Sequence, residues 1–143
     1  MIIPDTNLLL FAVNEHYEQH DSARAWWKEV LTNREVGLPL VVQFGFLRIG
    51  SNERIYHPPA SVFLLMERLE LWLALPNVRS IQPGPRHYAL MSNLLEDRKN
   101  SYPGSRLTDF HLAALAMEHR ATLCSNDQGF ADYTGLSWND PLK

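Results

Sequence analysis

The chain has 143 residues, 45% of them apolar and 20% charged, enough for one globular domain with a real core and too few for two comfortable ones. Its net charge of −3 excludes a protein that coats nucleic acid through bulk positive charge, but not an enzyme that meets RNA along a local basic rim. The single cysteine, Cys124, excludes an internal disulfide, and the greasiest stretch, around Val62, carries Glu67, Arg68 and Glu70 and so is no membrane span.

Met1-Ile2-Ile3-Pro4 is short, apolar and β-branched, and predicts a buried first strand that stops at Asp5; Pro4 removes a ladder donor, which a strand end tolerates. That early acid also argues against a signal peptide. An apolar helix is predicted over 6–13. Asp21 or Ser22 then caps a helix through Ala23, Trp26, Trp27, Val30 and Leu31. A tiny strand comes next near 36–38, and Pro39 at the first helical position opens a helix carrying Val41, Val42, Phe44, Leu47 and Ile49. After a turn-rich stretch, Pro59 or Ala60 opens an amphipathic helix stopped by Pro76. A third strand is predicted over 78–81, and Pro85 begins the helix of Tyr88, Met91 and Leu94. A polar loop over 98–105 precedes a helix over 107–119, a fourth strand over 121–125 and a short fifth near 136–138. Cys124 falls in that fourth strand as a buried residue, and a reducing, cytoplasmic setting is the expectation. Strands alternating with helices predict parallel βαβ units: an α/β three-layer sandwich, with a parallel sheet of four to five strands flanked by helices, as one domain over 1–143.

In an open parallel sheet the working crevice lies beyond the carboxyl ends of the strands, where strand order reverses. Asp5 ends the first strand, Asp127 comes just after the fourth, and Asp109 lies in the first turn of the helix leading into the fourth. Each acid taken singly fits a capping or turn role: Asp5-Thr6-Asn7 and Thr108-Asp109 as helix caps, Asp127 as a turn former before Gly129. Together, in this alternation, they meet at one edge. Three converging carboxylates hold protons unless a cation balances them, and all-oxygen ligands favour Mg²⁺, or Mn²⁺, over zinc. Such an ion activates water for phosphodiester hydrolysis. The hydroxyls of Thr6 and Ser125 could orient Asp5 from behind, although capping accounts for Thr6 equally well.

These residues resemble a known family. Ile3-Pro4-Asp5-Thr6-Asn7, Phe46-Leu47-Arg48-Ile49, Thr108-Asp109, Ser125-Asn126-Asp127-Gln128-Gly129-Phe130 and Asn139-Asp140-Pro141-Leu142 are similar, in this order and over almost the whole chain, to the PIN-domain toxins called VapC. No motif is specific alone; their ordered combination is. The resemblance implies the PIN-like fold and a Mg²⁺-dependent endoribonuclease that cuts structured RNA such as tRNA or ribosomal RNA. It further implies a VapB antitoxin whose C-terminal segment enters the active-site groove, and a homodimer. It assigns Asp5, Asp109 and Asp127 as the metal-site acids and catalytic residues. One departure stands out: the family's glutamate, three residues before Arg48, is here Gly45. Asp132, another group or water would have to complete the site, or metal binding is weaker. The rival reading is therefore a PIN-fold module that binds RNA or an antitoxin without cutting.

Four cations are candidates for RNA. Arg48 sits in a largely apolar helix, where a buried guanidinium needs an acidic partner, so pairing beside the site and phosphate contact are both open. Arg98, Lys99 and Arg106 flank the loop before Asp109 and could line a basic rim, with ordinary solvated charge as the plain alternative. His16 and His20, four apart, read as a solvated face rather than a zinc pair, His57 as loop and His111 as structural. Trp26, Trp27, Trp72 and Phe63 read as core or dimer interface rather than base-stacking platforms. A haloacid-type phosphatase needs an aspartate where Asn7 stands, and a receiver domain needs a lysine after a late strand, which is lacking.

Overall fold

A computed structural model describes residues 1–55, 59–97 and 106–143. Among these, β1 (Ile2–Pro4) leads into α1 (Thr6–Val13) and α2 (His20–Asn33). β2 (Val36–Pro39) leads into α3 (Leu40–Gly50) and α4 (Val62–Leu73). β3 (Val78–Ile81) then precedes α5 (His87–Asp97) and α6 (Leu107–Glu118), which returns into β4 (Thr122–Cys124) and a short β5 (Trp138–Asn139). The five strands form one sheet in the order β3-β2-β1-β4-β5, every pair parallel. The crossovers from β1 to β2, β2 to β3 and β3 to β4 each carry two helices. α1, α2, α3 and α4 pack on one another and α5 packs on α6, as expected when the chain runs outward from β1 and then jumps back to β4.

A central parallel strand is covered on both faces, so it reads as an unbroken apolar run rather than an alternation. All of Ile2–Pro4 and Val36–Pro39 is buried, whereas β3, an edge strand, buries only Val78 and Ile81 and exposes the two residues between. Ile3, Leu8, Leu9, Leu38, Leu115 and Leu123 form the driest part of the core. Trp27 of α2 meets Trp72 of α4 edge to face at 5.4 Å, a geometry worth about 0.5–1.5 kcal/mol beyond its burial. Trp26 is only partly buried, and Phe63, expected in a core or interface, is 79% exposed.

Several helix starts differ from those predicted, two of them beside hydrogen bonds to groups elsewhere in the chain. α2 begins at His20, with Gln19 at the cap position and no side-chain cap, so neither Asp21 nor Ser22 has that role. Pro39 ends β2 and stands at the N-cap in extended conformation, one step ahead of its predicted place. Ala60 is tied back to the end of α3 through its N–H and the Gly50 carbonyl at 3.2 Å, which delays α4 to Val62, after Ser61. Glu118, far along the chain, accepts the N–H groups of Gly84 and Arg86 at 2.7 and 2.8 Å, which holds the Pro85 turn open so that α5 starts at His87.

The exit of α6 sets the entry to β4. Arg120 takes positive φ (53°), the Arg120 N–H reaches the Met117 carbonyl at 3.2 Å, and the Ala121 N–H reaches that of Ala116 at 2.8 Å. This is the Schellman stop, with arginine where glycine is usual. The helix therefore reverses directly into the sheet, and its opposite end, with Asp109, lies toward the carboxyl end of β4.

Candidate active site

The reversal of strand order falls between β1 and β4, so the crevice should open just beyond Pro4 and Cys124. Asp5 comes first. Its N–H extends the ladder by donating to the Cys124 carbonyl at 2.8 Å, so the residue is fixed to the sheet before its side chain is considered. Its Oδ1 accepts the Thr6 N–H at 2.7 Å and caps α1, and its Oδ2 accepts from the Ser125 hydroxyl at 2.7 Å.

Ser125 is completely buried and ties the segment after β4 to the start of α1. While donating to Asp5, its Oγ accepts the Asp127 N–H at 3.0 Å and the Asn7 side-chain amide at 3.3 Å. Asp127 in turn caps the short 3-10 turn Gln128–Phe130, its Oδ1 accepting the Gly129 N–H at 2.8 Å. The capping and turn roles open from the sequence are thus physically present at Asp5 and Asp127, alongside their gathering at one edge. Below the loop, buried Asp140 takes hydrogen bonds on Oδ2 from Asn126 at 2.9 Å and Gln128 at 3.0 Å, and on Oδ1 from the Leu142 N–H.

Asp109, in the first turn of α6, is partly buried and accepts from Arg106 Nε on Oδ2 at 3.2 Å. Burial pushes the Asp5 carboxyl above its ordinary range, and the charges of Asp109 and Asp127 push it further. Asp109 is likewise raised, first by burial and then by Asp127, against the pull of Arg106. The charges of Asp109 and Asp127 thus both reach Asp5, and that of Asp127 reaches Asp109.

Do these side chains suit a divalent cation? The donors are all hard oxygens, their charges reinforce one another, and the Asn7 Oδ1 beside Ser125 is buried with no hydrogen-bond partner. That donor set fits Mg²⁺ or Mn²⁺. Among the described residues, however, no three acidic, histidine or cysteine side chains are drawn up as a closed cluster; each carboxylate is turned onto a protein donor.

The structure also places the remaining candidates. Thr6 serves Asp5 through its backbone N–H. Arg48 is exposed: it lies roughly opposite buried Phe46 on α3, so the expectation of a buried guanidinium with an acidic partner fails on helical phase. Arg98, Lys99 and His57 lie outside the described residues. Asp132 is exposed, and its charge is not among those acting on Asp5. His16 is exposed and precedes α2, and the His20 ring pairs with the Phe11 carbonyl at 2.8 Å. His111 pairs with buried His87 at 2.9 Å between rings. Burial in β4 pushes the Cys124 thiol up to about 11, so it stays protonated and unreactive. Sequence reasoning missed Asn7 and Asp140 as site residues. Asn7 was legible only as a capping neighbour, because its partner is 118 residues away.

Comparison with known proteins decides the family. The PIN domain family matches residues 2–136. The chain belongs to the PIN-domain family. Among curated PIN proteins it is 38% identical to Ribonuclease VapC33 of Mycobacterium tuberculosis, covering 100% of this chain and 99% of that one. It is 33% identical to Ribonuclease VapC43 of the same species, covering 99% and 96%. Its fold is similar to that of VapBC2 from Rickettsia felis bound to a promoter DNA fragment (TM-score 0.68, 19% identity, 97% and 98% covered). A similar match is VapBC-1 from nontypeable Haemophilus influenzae (TM-score 0.68, 18% identity, 100% of both chains). The parallel sheet, here of five strands, and its flanking helices are those anticipated.

Against that PIN background, Gly45 acquires a local cause. A Cβ added there would stand 2.8 Å from Thr6 Oγ1 and 3.3 Å from its Cγ2. Thr6 fills the space that a side chain at 45 requires, so a glutamate would enter only by displacing it.

Proposed function

We propose that this chain, as one PIN domain over 1–143, is a metal-dependent endoribonuclease: the toxin of a toxin–antitoxin pair, hydrolysing phosphodiester bonds in structured RNA such as tRNA or ribosomal RNA. The observation that carries the reading is the gathering of acids at the β1/β4 switch point, where the charges of Asp109 and Asp127 act on Asp5 and that of Asp127 acts on Asp109. Membership among the VapC ribonucleases supports it.

The residues divide the work by position. Asp5, Asp109 and Asp127 would hold Mg²⁺ or Mn²⁺, and a cation bound there would supply Lewis acidity for attack by water on the phosphodiester. Ser125 and the Thr6 N–H fix the Asp5 carboxylate, and Asp140 braces the loop that carries Asp127. Arg106 and exposed Arg48 supply positive charge for the RNA backbone, as would Arg98 and Lys99. An antitoxin of the VapB type and a second copy of the chain are the partners this reading carries. Leu40 and Phe44 on α3, and Phe63, Leu64 and Leu71 on α4, are exposed apolar side chains that such partners would cover. The described helices include none long and apolar enough to cross a membrane. A cytoplasmic site of action goes with this reading.

The test is direct. Purified protein with Mg²⁺ or Mn²⁺ cleaves members of a tRNA and ribosomal RNA panel, and Asp5→Ala, Asp109→Ala or Asp127→Asn abolishes cleavage while far-UV circular dichroism is unchanged. Gly45 favours one second reading, a PIN module that binds RNA or its antitoxin without cutting. That reading takes over if the wild-type protein is inert with both metals.

A further inference from the structure

Arg106, one of the cations proposed to meet RNA, has surroundings of its own among the described residues. Nε donates to Asp109 Oδ2 at 3.2 Å, and this is the one ion pair among the described residues. The rest of the guanidinium reaches away from α6 and over Gly129. A Cβ added at Gly129 would overlap Arg106 Nη2 and stand 3.0 Å from both Arg106 Cζ and Asp127 Oδ1. The arginine head therefore lies on a bare stretch of backbone, beside the Asp127 carboxylate on one side and bonded to Asp109 on the other. Both acids act on its charge. Gly129 has ordinary backbone geometry, so the missing side chain matters here through the room it leaves.

We propose that Arg106 is the built-in counter-cation of the acid pocket: its guanidinium occupies the positive position between Asp109 and Asp127 and competes with a divalent cation for Asp109. This rests on the metal-site reading above and deepens it. Two cations in one small pocket repel, and Oδ2 cannot serve the arginine at full strength while ligating an ion. Ion entry thus requires the guanidinium to release Asp109. The arginine is half exposed and long, and release leaves a freed cation at the mouth of the pocket, where an RNA phosphate can replace the carboxylate as its partner. In this scheme the empty enzyme keeps its acids neutralised by its own side chain, and cation and RNA together displace it.

The test reads Mn²⁺ affinity, by isothermal titration calorimetry and by the electron paramagnetic resonance of free Mn²⁺, without RNA. Removing one half-exposed charge pair predicts that Arg106→Gln binds Mn²⁺ about two- to fivefold more tightly than wild type. Arg106→Lys, which keeps the charge, stays nearer wild type. Gly129→Ala, whose methyl group pushes the flexible guanidinium aside, tightens binding in the same direction as Arg106→Gln. Equal or weaker Mn²⁺ binding by Arg106→Gln, with thermal stability and circular dichroism intact, overturns the proposal and leaves Arg106 as a scaffold for Asp109. That failure is distinct from failure of the metal reading, in which neither wild type nor Arg106→Gln binds Mn²⁺ at the Asp5-dependent site. Binding by Arg106→Gln but not by wild type is the strongest support.

Discussion

The Ser125 hydroxyl, wholly buried, donates to Asp5 at 2.7 Å while accepting the Asp127 N–H at 3.0 Å, so one oxygen locks the ends of two neighbouring strands into fixed relation. Removing it should loosen both acids together. Ser125→Ala is expected to lower RNA cleavage and Mn²⁺ affinity about 10- to 100-fold, the usual cost of losing a group that orients a ligand. It leaves the Asp127 N–H and the Asn7 amide without their acceptor, so stability falls by about 1–3 kcal/mol. Denaturant melts alongside cleavage assays check both. A variant as active as wild type would show that the hydroxyl orients nothing that matters.

Asp5→Asn should separate stability from activity. The Asp5 carboxyl is raised by burial and by its two acidic neighbours, so it favours the protonated form in the fold. Its contribution is present at pH below the unfolded-state value and is lost as pH rises through the raised one. At pH above that window and without metal, this carboxyl opposes folding. The neutral amide removes that cost and keeps the Thr6 N–H bond. We expect the melting temperature to rise by a few degrees at pH 7, to lose its response to Mg²⁺ or Mn²⁺, and cleavage to vanish. A lower melting temperature at pH 7 contradicts this.

Histidine burial gives the opposite pH slope. His87 is 1% exposed and held below its usual range by burial, against the pull of Glu118; His111 is lowered by burial and by His87. Both hold a proton less readily in the fold than in the unfolded chain, so their contribution is present above the unfolded value of about 6.5 and is lost as pH falls below it. Stability measured in the Asp5→Asn background, which removes the opposing carboxylate effect, should decline from pH 7 to pH 5. His87→Gln, which can still reach His111, flattens that decline. An unchanged slope assigns the acid sensitivity elsewhere.

Arg120→Gly should stabilise the protein. The left-handed backbone at Arg120 costs a residue with a Cβ about 1–2 kcal/mol, and glycine avoids that at the expense of its greater freedom when unfolded. A net gain of about 0.5–1 kcal/mol is expected in chemical denaturation, with cleavage unchanged, since the residue is exposed and ends α6 opposite Asp109.

Much of this architecture is written locally. α1 over Thr6–Val13 and β3 over Val78–Ile81 have the predicted bounds, because apolar runs and the punctuation around them set those elements. The acids at the strand ends were visible for the same reason: in a βα alternation the residue after a buried strand can only be at the crevice. Helix starts were misplaced where a distant group intervenes. No local pattern announces that Glu118 holds Gly84 and Arg86, 34 and 32 residues back along the chain. Arg48 misled because apolar neighbours in sequence are not neighbours on a helix face. Arg106 is the instructive case. Its spacing of three from Asp109 on a helix already allowed the ion pair. Its reach over Gly129 toward Asp127 depends on how α6 meets the turn after β4, which only the fold supplies.

The Asp5 amide donates to Cys124 as the last rung between the two innermost strands. To swing that aspartate away, the protein would have to part the middle of its own sheet, an event on the scale of global unfolding rather than of loop fraying. Its amide proton should therefore exchange with solvent as slowly as those of Ile3 and Leu123. The backbone that carries Asp5 then ages with the core: heat that spares the centre of the sheet leaves that aspartate anchored where it stands.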